Sequence, residues 1–264
     1  FTPWEWHAPI FKYAQSLGIM AFSTPFDETA VDFLESLRVP AYKIASFENT
    51  DWPLLKKVAQ TGKPVILSTG AASEEDIADA VRILRENGCE HLCLLKCTST
   101  YPATPENTNL LTIPVMREKF GCHVGLSDHT MGIGAGIAAV ALGAGVLEKH
   151  FTLRRADGGV DSTFSIEPEE LHDLVVESER AFLALGKVHF GVLKSEEKSL
   201  QFKRSLFAVM PIAKGERFTK ENVRVIRPGF GLAPKLFEAV LGSIATQDIP
   251  QAAPIQKEMV KGLS

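Results

Sequence analysis

Six continuously apolar, β-type runs recur along the first 151 residues, each ending in small or polar side chains, and their regular spacing limits the fold more than any other feature. They cover residues 18–24, 41–46, 64–70, 91–98, 123–129 and 145–151. Unbroken apolar runs, unlike alternating ones, belong to strands covered on both faces. The run ends at Thr24, Ser46, Thr69, Thr98, Asp128 and His150 lie 22, 23, 29, 30 and 22 residues apart. That is close to the roughly 30 residues per unit of a (β/α)8 barrel.

Helical patterns fill the intervals. Ser73 caps Glu74-Glu75-Asp76, after which Ile77, Ala80, Val81 and Leu84 recur at helical spacing until Asn87-Gly88. Asp51-Trp52-Pro53 opens a second helix that stops at Gly62, and residues 131–147 read as a buried helix running into a buried strand. The first segment predicts a helix with Thr2 as cap, Pro3 at its first position and Glu5 completing a capping box. An open doubly wound sheet would need a glycine-rich phosphate turn and an acidic strand end about 20 residues on. Gly132-Ile133-Gly134-Ala135-Gly136 has the wrong spacing, and His150 stands where the acid belongs. The expectation is therefore an α/β chain forming a TIM barrel over residues 1–186. Six of its β/α units are present, its first two strands lying outside this chain.

Residues 187–203 form a polar stretch that reads as a linker, and residues 204–264 form a small separate domain. Within it, Ile212, Phe218, Lys220, Glu221 and Val223 recur 37 positions later as Ile249, Ile255, Lys257, Glu258 and Val260. Such a repeat implies a pseudo-symmetric unit of short strands and turns.

Composition excludes several roles. With 45% hydrophobic and 23% charged residues, a net charge of −4 and no Lys/Arg block, no nucleic-acid partner and no anionic-membrane surface is expected. The 17 uncharged residues of 131–147 are mostly Gly and Ala and fall short of a membrane span of about 20 residues. Cys89, Cys93, Cys97 and Cys122 make no C-x-x-C pair and read as reduced thiols of a cytoplasmic protein. Cys93 and Cys97, four apart on one strand face, read as core.

In a barrel, chemistry gathers where the strands' C-terminal ends converge. An ammonium inside Tyr42-Lys43-Ile44-Ala45 would face the lumen or the helical layer, where it is costly unless an anion meets it. His129 and His150 end consecutive strands, and two imidazoles among oxygen donors suit a divalent ion with open positions, such as Mn2+ or Zn2+.

Taken in order, Ser23-Thr24-Pro25-Phe26-Asp27, Lys43-Ile44-Ala45-Ser46, Ser68-Thr69-Gly70, Cys97-Thr98-Ser99-Thr100-Tyr101-Pro102, Ser127-Asp128-His129-Thr130 and Glu148-Lys149-His150-Phe151-Thr152 resemble the sialic acid synthase family. The C-terminal part, with Lys214-Gly215-Glu216 and Arg227-Pro228-Gly229, is similar to the antifreeze-like (SAF) domain, a β-clip. The resemblance covers essentially the whole chain. It implies a transferase that condenses phosphoenolpyruvate with an N-acetylated amino-sugar aldehyde to give a nonulosonic acid. Carried over by position, Thr24, Lys43, Ser46, Ser68, Ser99 and Ser127 match phosphoenolpyruvate contacts, Ser99 standing where the family often has Asn. His129 and His150 match the ligands of a divalent metal, Mn2+ with Mg2+ or Co2+ as alternatives. Glu48, Tyr101 and Asp161 match residues around the reacting carbons and the sugar. Arg227 matches an arginine inserted into the partner subunit's barrel mouth, which implies a domain-swapped homodimer. Val160-Asp161-Ser162-Thr163-Phe164-Ser165 is similar to the pseudaminic acid synthase branch and the spore-coat polysaccharide proteins, with Phe164 set to meet a sugar of more apolar surface. At the second SAF half-repeat, Ala252 replaces an expected glycine. The competing readings are N-acetylneuraminate synthase proper, a silent carbohydrate-binding or scaffold relative, and an aldolase using Lys43 or Lys149 as a Schiff-base amine.

Overall fold

A computed structural model describes residues 2–263. The chain divides into two compact units, Phe1–Lys187 and Val188–Ser264.

The first unit opens with helices α1 (Trp4–Ser16) and α2 (Glu28–Ser36). Strands β1 (Tyr42–Ile44), β2 (Val65–Ser68), β3 (Leu92–Cys97), β4 (His123–Asp128) and β5 (Val146–Lys149) then alternate with α3 (Trp52–Ala59), α4 (Glu74–Glu86), α5 (Thr112–Phe120) and α6 (Gly134–Ala141), and α7 (Pro168–Leu185) follows. All five strands are parallel and lie in the order β1-β2-β3-β4-β5. A doubly wound sheet reverses its strand order partway to place helices on both faces. A strictly sequential order keeps every right-handed crossover on one face, so the sheet curls as the wall of a (β/α)8-type barrel.

Tyr42, Ile44, Leu67, Leu94 and Leu126 face the helices and are fully buried with Leu54, Leu55, Ala80 and Leu84. Each Leu or Ile among them contributes about 1.5–3 kcal/mol by leaving water. Between them, at period two, Lys43, Cys97, Ser127 and Glu148 point to the opposite, lumenal face.

Two sequence expectations are corrected. Residues 18–24 form no strand, so among the described residues the unit has five strands rather than six. A ladder needs a partner on at least one side, and here Ile19 and Met20 are 59% and 70% exposed rather than covered. The α1 cap also differs: Pro3 is the N-cap residue and no side chain caps the helix, because helix entry falls one residue later than the Thr2 pattern requires. At α4 the expected Ser73 capping box with Asp76 is present, and Asp51 accepts from the Leu54 amide at the start of α3.

The second unit contains an antiparallel pair, β6 (Ser205–Ala208) and β7 (Val223–Ile226), and one helical turn, α8 (Phe237–Val240). Residues Lys194–Phe202 of the expected linker form 3-10 turns. Gln201 there accepts from the Gly229 amide at 3.0 Å. The 37-residue repeat has a structural counterpart. Ile212 and Ile249 bridge to each other through reciprocal backbone bonds of 2.9 and 2.8 Å, and Ala208↔Val223 is matched by Ala245↔Val260. The repeat-related pairs therefore lie about a pseudo-two-fold axis. Among the described residues no helix is long and apolar enough to cross a membrane.

Candidate active site

Lys43 is fixed by the pleat of β1. Its neighbours Tyr42 and Ile44 pack outward, so the ammonium enters the lumen, 7% exposed. There Nζ donates to the Ile44 carbonyl at 3.0 Å and lies 3.5 Å from Glu148 Oε2. Burial pulls the Lys43 pKa below that of a free lysine, against the pull of Glu148. Glu148 also accepts from Ser127 Oγ at 2.8 Å, so one carboxylate ties β5 to β4 and faces the β1 ammonium.

Beside this charge pair lies a small-residue cradle. Ser46 Oγ accepts from the Gly70 amide at 3.1 Å. A Cβ on Gly70 would stand 2.0 Å from Ser99 Oγ, 2.7 Å from Ser46 Oγ and 3.1 Å from Cys97 Sγ, so the three side chains converge on one point of backbone. Two buried oxygens at the strand ends, Ser68 Oγ and Glu48 Oε2, have no hydrogen-bond partner. Burial raises the Glu48 carboxyl pKa, and the nearby Lys43 charge opposes it.

His129 and His150 follow directly on the last residues of β4 and β5, and their rings lie 5.1 Å apart at 67°. His129 Nδ1 lies 2.9 Å from the Thr98 carbonyl, which can only accept, so Nδ1 carries the proton and Nε2 the lone pair. His150 Nδ1 stands 3.7 Å from Asp161 Oδ2. Burial opposes charge on both rings. At His129 the Cys97 sulfur and Thr98 carbonyl outweigh it and raise the pKa, while at His150 burial and the His129 charge lower it. Tyr101 leans on His129 at 4.4 Å with the rings tilted by 46°, and Phe164 joins the same aromatic group, 5.0 Å from the His150 ring and 6.0 Å from Tyr101. Among the described residues no group of three or more His, Cys, Asp or Glu side chains forms a metal cluster.

The structure thus gathers Lys43, Ser46, Ser68, Ser99, Ser127, His129, His150, Tyr101, Asp161 and Phe164 about one opening, with Glu48 on the turn after β1. Thr24 is elsewhere: it lines a hollow with Trp4, His7, Phe26 and Phe33, and no hydrogen bond joins it to this group. Arg227 is exposed on the second unit after β7. Two members were missed. Cys97, read as core, ends β3 with Sγ 3.9 Å from His129 Nδ1, and its pKa is drawn down to about 7, burial being outweighed by bonds from His129, Ser46 and Ser99. Glu148 enters the sequence reading only as part of the Glu148-Lys149-His150 motif, with no role of its own. Its signal is the two-residue spacing to His150, which puts both on one face of β5.

A sequentially ordered parallel wall with its polar residues massed at the strands' C-terminal ends defines the barrel class whose chemistry runs at that rim. The family model described as NeuB matches residues 1–190, and that of the SAF domain matches residues 203–261. The chain belongs to the NeuB family and carries a C-terminal SAF domain. It is 46% identical to the pseudaminic acid synthase of Campylobacter jejuni over 94% of this chain and 72% of that relative. Identity to the pseudaminic acid synthase of Helicobacter pylori is 40%, over 98% and 77%. The crystal structure of the spore coat polysaccharide biosynthesis protein SpsE from Bacillus subtilis superposes with a TM-score of 0.68 at 34% identity, covering 98% of this chain and 78% of that one.

Proposed function

We propose that the protein is a transferase that condenses phosphoenolpyruvate with the open-chain aldehyde of an N-acetylated amino sugar, forming a nonulosonic acid of the pseudaminic type and releasing phosphate. The observation that carries this reading is the meeting of one buried ammonium, four serines and two imidazoles at a single rim. Similarity to synthases named for pseudaminic acid supports the product class.

Lys43 offsets the negative charge of phosphoenolpyruvate, and Ser46, Ser68, Ser99 and Ser127 donate to its oxygens. Ser68 Oγ, buried without a partner, gains one in this way. His129 and His150 fit a divalent cation, Mn2+ with Mg2+ or Co2+ as alternatives, because the Thr98 carbonyl engages His129 through Nδ1 and leaves its Nε2 free, and the His150 ring stands 5.1 Å away with Asp161 on its Nδ1 side. When bound, the cation supplies Lewis-acid polarisation of the aldehyde oxygen. C3 of phosphoenolpyruvate bonds to the aldehyde carbon, whose oxygen takes up a proton and becomes a hydroxyl, and C2 is left electron-deficient. Water adds at C2, Glu48 taking its proton, and the resulting C2 hydroxyl collapses to the ketone as the C2–O bond breaks and phosphate leaves with that oxygen. Tyr101 and Phe164 give the sugar an apolar wall, which favours a 6-deoxy diacetamido sugar over one richer in hydroxyls. Arg227 is supplied to the mouth of a second subunit in a domain-swapped dimer, and the reaction runs in the cytoplasm, where the four free cysteines stay reduced.

The test is phosphate release from phosphoenolpyruvate with Mn2+. Turnover should be high with a 2,4-diacetamido-2,4,6-trideoxy hexose and low with N-acetylmannosamine. The reverse preference overturns the sugar assignment, and no release with any acetamido sugar overturns the reaction.

A further inference from the structure

The two histidines stand one residue beyond the paired part of the sheet. β4 and β5 are last in register at Asp128↔Lys149, so no ladder bond fixes the distance between residues 129 and 150. Behind the rim, on the face away from the lumen, a buried ion pair occupies that last register position. Lys149 Nζ lies 2.7 Å from Asp128 Oδ2, with side chains only 5% and 2% exposed. The same ammonium donates at 2.6 Å to the Thr130 carbonyl. Asp128 Oδ1 in turn accepts from the Thr130 amide at 2.8 Å and its hydroxyl at 2.7 Å. Lys149, which immediately precedes His150, therefore grips the chain on both sides of His129.

The network is closed off from substrate by burial. Lys149 spends two of its three N–H donors on these acceptors, both Asp128 oxygens are engaged, and the two side chains lie on the face away from the lumen. A buried pair of this kind contributes little net stability compared with apolar side chains of the same shape, because both charges lose their water. What it does contribute is geometry: two short charge-assisted bonds fix two strand ends against each other. On the lumenal face, the Ser127–Glu148 bond ties the preceding register pair at 2.8 Å. The strand ends are thus clamped front and back immediately before the imidazoles emerge.

We infer that Lys149, through Asp128 and the Thr130 carbonyl, is a positioning residue that sets the spacing of His129 and His150 for a divalent cation. The inference rests on the proposed role of the two histidines and assigns Lys149 a place outside both substrate contact and Schiff-base chemistry. Outer partners that orient metal ligands typically change affinity by about 10- to 100-fold when removed.

Mn2+ uptake by the substrate-free protein, followed by the electron paramagnetic resonance of the free ion, tests it. Phosphoenolpyruvate binding without metal is measured in parallel by calorimetry. The variants are Lys149→Met, Lys149→Arg and the double replacement Asp128→Asn with Lys149→Met, which removes both charges at nearly constant volume and keeps the fold accessible if Lys149→Met alone unfolds. The double variant should melt cooperatively, bind Mn2+ about 10- to 100-fold more weakly and hold phosphoenolpyruvate within about twofold of the parent. Lys149→Arg should recover part of the Mn2+ affinity. A cooperatively melting double variant that binds Mn2+ as the parent does overturns the inference. A parent protein that takes up no Mn2+, or whose uptake survives His129→Ala, overturns the histidine site itself and the clamp with it.

Discussion

At the rim, Glu48 carries a carboxylate oxygen, Oε2, that is buried with no partner, and burial raises its pKa. The folded protein then holds the Glu48 proton to higher pH than the unfolded chain does. Stability consequently falls as pH rises from the ordinary carboxylate range through the raised value. Glu48→Gln removes that dependence. Its melting temperature should exceed the parent's by about 2–4 °C above this window and converge with it in acid, while kcat drops on the order of 10²-fold. Thermal melts at several pH values alongside phosphate release check both halves. Gly70 makes the second prediction at this scale. A methyl group there would meet Ser99, Ser46 and Cys97 at once. Gly70→Ala should keep its circular dichroism yet lose on the order of 10²-fold in kcat/KM for phosphoenolpyruvate, as displaced binding groups do. Lys43 was legible in the sequence because a charge within an apolar strand has few harmless explanations. Cys97 was not, since spacing identifies a strand face and not the end of the strand at which a side chain sits. Cys93 and Cys97 do share a face, but Cys93 pairs with His123 and Cys97 with Ser127, at opposite ends of β4.

Among elements, α4 shows how local chemistry sets a boundary. Ser73 Oγ accepts from the Asp76 amide at 3.2 Å, and the Ser73 amide donates back to Asp76 Oδ2 at 2.8 Å. Ser73→Ala should destabilise the first unit by about 1 kcal/mol, read as a shift in denaturant midpoint at unchanged slope. Such caps are written in three or four adjacent residues, which is why those of α3 and α4 could be read in advance. Residues 18–24 carry an equally clear apolar run, but a strand depends on a partner distant in sequence, and periodicity says nothing about that partner. The α1 entry failed for a smaller reason: Thr2-Pro3 and Glu5 fit a capping box only if the helix begins one residue earlier than it does.

The whole molecule combines two solutions to burial: a curled parallel wall with one rim, and a small unit folded about its own repeat. The sequential strand order was foreseeable from the regular spacing of apolar runs, because crossovers of one hand and similar length leave few other arrangements. The repeat was equally visible because equivalent residues pair with each other, as Ile212 and Ile249 do. Its mismatch is also structural. Gly215 has φ +89°, and Ala252, 37 positions on, is held at φ 66°, where a side chain costs about 1–2 kcal/mol. Ala252→Gly should therefore stabilise the second unit by about 1 kcal/mol, seen as a higher melting temperature with catalysis unchanged. At the rim of the first unit, the proposed chemistry requires that His129 and His150 bind a divalent cation beside an anion held by Lys43. A crystal of the protein soaked with Mn2+ and phosphoenolpyruvate, measured for manganese anomalous scattering, tests this most directly. One anomalous peak coordinated by both histidines is expected, with the phosphoenolpyruvate density against Lys43 and Ser68. A peak bound away from His129 and His150, or phosphoenolpyruvate density out of reach of Lys43, would contradict it.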